Sequence, residues 1–354
     1  MKTRILAIDP VSPQMDLVLE AARTIHSGGL VIFPTETVYG IAADSANPLA
    51  MKRLREVKRR QEGKPFAIMI PQKELIRNYT SLDAPALYKL VDRYWPGPLT
   101  VIVPSGNGRD STGIRIPDHS VALRLIENVH CTVAAPSANF EGNPPPATIQ
   151  EALRDLDGLV DLAIDSGRVD IGISSTIVDF SSGAPVVTRT GVISPQEVEA
   201  ATRNRHILFV CTGNSCRSVM AEYQFRHLLG GRADISVSSA GTGVLYPTQA
   251  SREALLVLRE KGIDARAHVS RPVSNMLLKR SDLIFVMTRG HRSQLLERVP
   301  SVEKRVYLLG EFKNSVLHQD RDLDIPDPIG HSHEQYQHCR DMIAECLRKV
   351  LHLV

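Results

Sequence analysis

Short apolar runs bounded by Pro, Gly and Thr punctuate the first half of the chain. Residues 30–33 (Leu-Val-Ile-Phe) form one run, which ends in Pro-Thr-Glu-Thr. Residues 99–103 form another, introduced by Trp95-Pro96-Gly97-Pro98. Runs of this length predict buried strands. Between them, residues 48–60 place basic and apolar side chains at helical spacing and predict a basic amphipathic helix. Residues 105–112 are rich in Gly, Ser, Asn and Asp and predict a mobile loop. Further short apolar segments recur at 133–135, 162–165, 175–178 and 186–188.

A boundary is expected near residue 200. Ser194-Pro195-Gln196-Glu197 places a capping Ser, a Pro in the first turn and a Glu three residues after the Ser, which is a helix-start signal. That short helix ends in the polar stretch Thr202-Arg203-Asn204-Arg205. From there strand and helix alternate. Strands are expected at 206–210, 235–239, 282–287 and 306–309. Helices are expected from about Ser218, over 249–261 and 292–298, and from about Glu334 to the end. Such alternation predicts a doubly wound parallel sheet covered on both faces. The expected division is a domain at 1–195, a linker at 196–205 and a second domain at 206–354.

Composition narrows the class. The chain has 354 residues, 43% of them hydrophobic, and a formal net charge of +3. Two domains can each bury a core, and the charge is too small to argue for wrapping a long polyanion. No apolar stretch approaches a membrane span and the N-terminus has no signal-peptide pattern, so the expectation is a soluble, cytoplasmic protein. Five unevenly spaced cysteines are no secreted disulfide framework.

The strongest motif is Cys211-Thr212-Gly213-Asn214-Ser215-Cys216-Arg217-Ser218. It lies where a strand gives way to a helix, the place at which parallel sheets bind ligands. Backbone amides there can converge on an oxyanion, and Arg217 can grip two phosphate oxygens in a fork. A cysteine at a helix N-terminus favours its thiolate, with pKa values of roughly 3.5–7.5. Cys211 is therefore the expected nucleophile. Ser218 is its expected hydrogen-bond partner and Asn214 the residue that pins the loop. Asp327, in Asp324-Ile325-Pro326-Asp327-Pro328-Ile329-Gly330, is the expected general acid. Cys339 and Cys346, seven apart, share a helix face and read as core. His331, His333 and His338 read as solvated polar residues, because nothing completes a metal site around them.

On Cys211, Asn214, Cys216, Arg217, Ser218 and the Asp327-Pro328 pair, the second half resembles the low-molecular-weight protein phosphatases. The resemblance implies a cysteinyl-phosphate intermediate, with Asp327 as acid and then base. It also implies a reversible Cys211–Cys216 disulfide under oxidation. Tyrosine-directed members carry aromatics after the Asp-Pro pair, where Ile329 and Gly330 stand here. Phosphoarginine-directed members carry a small hydroxyl residue where Ser215 stands. The phosphoprotein substrate is thus phosphoarginine or phosphotyrosine, with a lean to the former.

No Walker loop occurs in the first half. Residues from about 15 to 192 resemble the YrdC/TsaC family of threonylcarbamoyl-AMP synthases. The likeness rests on 34–40 (Pro-Thr-Glu-Thr-Val-Tyr-Gly), the Lys58-x-Arg60 pair, 95–100 (Trp-Pro-Gly-Pro-Leu-Thr), Arg115, 135–139 (Ala-Pro-Ser-Ala-Asn), 174–177 (Ser-Ser-Thr-Ile) and Arg189. It implies a twisted mixed α/β sheet, and a reaction of ATP, L-threonine and bicarbonate to threonylcarbamoyl-AMP and pyrophosphate, with Mg²⁺ assisting. The product serves t6A modification of tRNA. The same resemblance puts Lys58, Arg60 and Lys64 near the phosphates, Ser137 and Asn139 on the nucleotide and carbamoyl group, and Arg189 on the nucleotide. Arg115 would pair with the threonine carboxylate, and Thr35 and Ser175 would bind threonine. Met69 stands where some relatives carry a His. Two rival readings stay open: an RNA-binding first half that regulates its partner, and a second half that is a redox sensor built on Cys211 and Cys216.

Overall fold

The computed structural model describes residues 2–61, 65–105, 110–313 and 323–354. The chain forms two compact units. The first comprises Met1–Leu82 and Lys89–Ala201, and the second comprises Asp83–Tyr88 and Thr202–Val354.

Up to residue 203 the elements run β1 (Arg4–Ala7), α1 (Met15–His26), β2 (Val31–Phe33), β3 (Gly40–Asp44), α2 (Pro48–Lys58), β4 (Ile68–Met69), α3 (Pro85–Tyr94), β5 (Leu99–Pro104) and β6 (Ser111–Arg115). Then follow α4 (Ser120–Asn128), β7 (Val133–Ala134), α5 (Ile149–Leu156), β8 (Leu162–Asp165), β9 (Thr176–Asp179), β10 (Val186–Arg189) and α6 (Pro195–Arg203). The strands join in one mixed sheet of order β1-β8-β2-β3-β7-β4-β6-β5-β9-β10. Alternation along its central strands explains the layers. Val31 and Phe33 face a core shared with Val18 and Ile25 of α1 and Leu125 of α4. Leu30 and Ile32 face the other way, onto Leu54 of α2 and Ile149 and Leu156 of α5.

Three sequence expectations change here. The helix predicted over 48–60 stops at Lys58, because Arg59 turns left-handed (φ 52°) and lays its guanidinium over the Phe140 ring at 3.8 Å. Its start is set by Asn47, whose side chain accepts from the amides of Leu49 and Ala50, a cap worth about 1 kcal/mol. Of the loop predicted at 105–112, Ser111 and Thr112 belong to β6, paired antiparallel with β5, while 106–109 fall outside the described residues. Most of the expected linker is helix, since α6 runs to Arg203 and the next strand starts at Arg205.

The second unit contains β11 (Arg205–Cys211), α7 (Arg217–Leu228), β12 (Ile235–Gly241), α8 (Arg252–Arg259), α9 (Asn275–Arg280), β13 (Leu283–Val286), α10 (Arg289–Arg298), β14 (Val306–Leu308) and α11 (His333–Val350). Its four strands are parallel in the order β12-β11-β13-β14, the doubly wound arrangement expected. The helix predicted over 249–261 is shorter because Ser251 caps it, accepting from the Ala254 amide. The central strand is buried on both faces. Ile207 and Phe209 pack toward α7, α8 and α11, whereas Leu208 and Val210 pack toward α9 and α10. This continuous apolar run is what a strand covered twice requires. Among the described residues no helix is long and apolar enough to cross a membrane.

Candidate active sites

The strand order of the second unit reverses at β11, so the crevice beyond its carboxyl end is a topological switch point. Cys211 ends β11 there and α7 opens at Arg217. The Cys211 thiol lies 3.0 Å from the Ser218 hydroxyl. Asn214 holds the turn between them. It is fully buried in the left-handed region (φ 50°). Its amide nitrogen donates to Ser218 Oγ (3.0 Å) and Ser239 Oγ (2.7 Å), and its Oδ1 accepts from the Arg271 amide at 2.9 Å. Behind this, Ser239 Oγ donates to Glu222 and His268 Nε2 bonds the Asn214 carbonyl at 2.9 Å. The carboxyl end of β12 closes from the side: the Thr242 and Gly243 amides donate to the carbonyls of Cys211 and Thr212. Gly241 is required there, since a Cβ would sit 2.4 Å from the Thr212 oxygen.

The distant Asp327, in the segment before α11, reaches the Arg217 side chain. Arg217 ion-pairs with its carboxylate through Nη2 and donates from Nη1 to the Ile325 carbonyl at 3.1 Å. The Asp327 side chain stays 42% exposed, open to exchange a proton with an incoming group. Cys216 is buried beside the Ser251 hydroxyl (3.2 Å) and the Tyr336 phenol (3.4 Å). Cys339 and Cys346 are core residues of α11, their thiols pushed up to about 12 and about 11 by burial. His333 binds Glu260 at 2.7 Å, and the described residues hold no metal-type cluster.

Sequence reasoning missed the support around this loop. Ser239 and His268 lie far from Cys211 along the chain, Glu222 sits on α7 just beyond the loop, and none of the three carries a motif. His291 is a further case. It is buried at the start of α10, with Nε2 2.9 Å from the Thr212 hydroxyl and Nδ1 2.8 Å from Thr288 Oγ1. Burial, then the Arg217 charge, pulls its pKa down to about 4. Leu245 and Tyr246, both largely exposed, stand on the loop that leaves β12.

In the first unit, seven of the candidates converge on one cleft of about 330 Å³: Lys58, Arg60, Arg115, Ser137, Asn139, Ser175 and Arg189 all line it. The β4–β6–β5–β9 part of the sheet brings them together, with Arg115 paired in register to Met69 and to Thr100. Lys64 lies outside the described residues. Thr35 does not line the cleft. It is buried, its hydroxyl donating to the Val38 carbonyl at 2.7 Å and accepting from the Thr37 and Val38 amides.

Lys58 is buried at the end of α2. Its ammonium donates to the Ser137 carbonyl (2.7 Å), to the Asn139 carbonyl and to Asn139 Oδ1 (3.3 Å). Burial, reinforced by the Arg60 charge, lowers its pKa to about 8. Across the cleft, Arg189 donates to the Ser175 carbonyl (2.8 Å) and hydroxyl (3.0 Å), and Ser175 Oγ meets Thr100 Oγ1 at 2.9 Å. Arg189 is drawn below the usual arginine value by burial and by Arg115. Among the described residues the cleft thus gathers four cations with hydroxyls between them. That arrangement suits a polyanion that also carries neutral polar groups.

Comparison with known proteins finds two families, one in each part of the chain. The Sua5/YciO/YrdC family profile, described as telomere recombination, matches residues 23–191. The low molecular weight phosphotyrosine protein phosphatase profile matches 206–354. A putative threonylcarbamoyl-AMP synthase from Methanocaldococcus jannaschii is 34% identical, over 50% of this chain and 86% of its own. A protein-arginine-phosphatase from Geobacillus stearothermophilus is 37% identical, over 41% of this chain and 92% of its own. Two further threonylcarbamoyl-AMP synthases are matched over only 64% and 60% of their own length. Among solved structures, Pyrococcus abyssi Sua5 complexed with L-threonine superposes with a TM-score of 0.54 at 26% identity, over 79% of this chain and 98% of that one.

Proposed function

We propose, for a chain whose first domain belongs to the Sua5/YciO/YrdC family and whose second belongs to the low-molecular-weight phosphatases, that it is a bifunctional enzyme: a threonylcarbamoyl-AMP synthase joined to a cysteine-dependent protein phosphatase. The observation that carries the first activity is the convergence of Lys58, Arg60, Arg115, Ser137, Asn139, Ser175 and Arg189 on one cleft. Bicarbonate and the amino group of L-threonine condense to a carbamate with loss of water. A carbamate oxygen attacks the α-phosphorus of ATP, the bond to the bridging oxygen breaks and pyrophosphate leaves. Negative charge builds on the phosphoryl oxygens, where fixed cations stabilise it most. Arg60 and Arg189 supply them. Lys58, all three N–H groups committed to residues 137–139, holds that segment in place and adds its charge. Arg115 takes the threonine carboxylate. Among the described residues Glu141 is the carboxylate that lines the cleft; a Mg²⁺ ion would enter with the ATP substrate and its charge would screen the phosphates. The adenylate product then serves t6A modification of tRNA in the cytoplasm.

In the second domain a substrate phosphate draws Arg217 away from Asp327, whose carboxyl group then takes up a proton from solvent; the Cys211 thiolate attacks phosphorus and Asp327 gives that proton to the leaving group as its bond to phosphorus breaks. The cysteinyl phosphate is hydrolysed by a water that surrenders its proton to the Asp327 carboxylate. Phosphoarginine is the favoured substrate, on the strength of Ser215 in the loop, the non-aromatic Ile329 after Asp327-Pro328, and the similar arginine phosphatase.

Incubation with ATP, Mg²⁺, bicarbonate and L-threonine tests the first activity. Pyrophosphate release that requires threonine and is lost in Lys58→Ala is expected. Release that ignores threonine refutes the synthase. Turnover of a phosphotyrosine peptide ahead of a phosphoarginine peptide would reverse the substrate choice.

A further inference from the structure

The turn after β2 does not offer its hydroxyls to the cleft. The Thr37 hydroxyl faces Arg115, and the Thr35 hydroxyl is used within the turn itself. Arg115 Nη2 donates to Glu36 Oε1 at 2.6 Å and to Thr37 Oγ1 at 2.7 Å, and Nε donates to the Gly97 carbonyl at 3.3 Å. Both members of the ion pair are about 7% exposed. The second Glu36 oxygen accepts from the Asp118 amide at 3.0 Å, so the carboxylate is fixed from the far side too. Hydroxyl directions follow from the acceptors. Thr35 gives its only hydroxyl proton to the Val38 carbonyl, so in the 2.9 Å contact between the two threonines Thr37 must be the donor. Thr37 Oγ1 is thereby left with lone pairs for the guanidinium. The chain runs one way, from Arg115 through Thr37 and Thr35 to Val38.

The consequence for the cleft is geometric. Among the described residues Nε and Nη2 have protein acceptors and Nη1 has none, which makes Nη1 the edge available to a ligand in the cleft that Arg115 lines. Glu36 also balances the charge of Arg115, whereas among the described residues Arg189 bonds only the neutral oxygens of Ser175. The two neighbouring guanidiniums are thus made different, one a neutralised and rigid hydrogen-bond fork, the other a net positive charge.

We infer that Glu36, with Thr37 behind it, is a positioning residue that aims Arg115 Nη1 at the carboxylate of the amino-acid substrate, and so sets affinity for L-threonine rather than for ATP. This rests on the synthase reading. A structural salt bridge alone would move both substrates together.

The test is steady-state kinetics of threonine-dependent pyrophosphate release by the full chain. Glu36→Gln keeps the shape of the side chain but removes its charge, and is expected to raise KM for L-threonine at least about tenfold, the scale of one charged hydrogen bond. KM for ATP should stay within about twofold. Thr37→Val should raise KM for threonine in the same selective way, and Thr37→Ser, which keeps the hydroxyl, should restore it. Should Glu36→Gln fail to fold, the Thr37 pair decides alone. Equal rises in the two KM values, or a Thr37→Ser variant no better than Thr37→Val, overturn the inference. A wild-type protein that releases no threonine-dependent pyrophosphate removes the synthase reading and this inference together. An active wild type with both KM values unchanged in Glu36→Gln removes only the inference.

Discussion

Two side chains illustrate how burial assigns a role. The Lys58 ammonium has three N–H donors and three oxygens to satisfy, all from residues 137–139. A neutral amine has only two donors and drops one partner. Its pKa of about 8, below the usual 10.5, therefore predicts an alkaline limb. Synthase activity should fall with a midpoint near pH 8, while Lys58→Arg, which stays charged, should not show that limb whatever its absolute rate. A wild-type profile flat to pH 9 would contradict it. Asp327 makes the matching case in the second domain. A general acid contributes roughly 10²–10⁴ in rate, so Asp327→Asn should slow phosphoester turnover by about that factor. A loss of less than about tenfold would dismiss Asp327 as the acid.

At the level of elements, both sites depend on loops held by neighbours rather than on their own propensity. The phosphate loop is pinned by the end of β12, where Gly241 leaves no room for a methyl group against the Thr212 carbonyl and the Asn214 amide. Gly241→Ala must push that loop aside. It should lower phosphatase kcat/KM by about tenfold or more, the cost of misplacing a reacting group by a fraction of an ångström to one ångström. Threonine-dependent pyrophosphate release should be retained, which separates a local shift from general unfolding. Elements of this kind were legible to different degrees. The strand at 206–210 and the helix after it were plain, because a long apolar run and a phosphate-loop pattern are local signals. The six-residue α9 and the two-residue β4 carry too few positions to show a period, and tertiary contacts alone make them regular.

Over the whole molecule, acid should be the weak side. His291 has a folded pKa of about 4 against an ordinary 6.5. Between those values the unfolded chain binds the extra proton, so stability falls as pH drops from 6.5 to 4. Glu260, held to about 2 by hydrogen bonds from Gln337, His333 and Arg340, adds a loss below pH 4.5 by the same sign. A scan of Tm from pH 7 to 3 should show both steps, and His291→Gln should flatten the first. An unchanged first step in that variant would assign it elsewhere.

The sequence by itself determined what is local: the eight-residue span from Cys211 to Ser218 that puts thiol, hydroxyl and guanidinium around one turn, the parallel alternation after residue 205, and the buried pattern of β2. It also named the cleft residues of the first domain, by likeness rather than by spacing. Tertiary structure alone decided how those residues are used. Lys58 meets Asn139 across 81 positions, Arg115 meets Glu36 across 79, and His268 meets Asn214 across 54. No periodicity reports such pairs, because sheet order and register bring them together. For the same reason Thr35, a candidate ligand from its motif, is a closed hydrogen-bond junction in the fold. A hydroxyl's partners are set by what packs around it, which the chain does not spell out residue by residue.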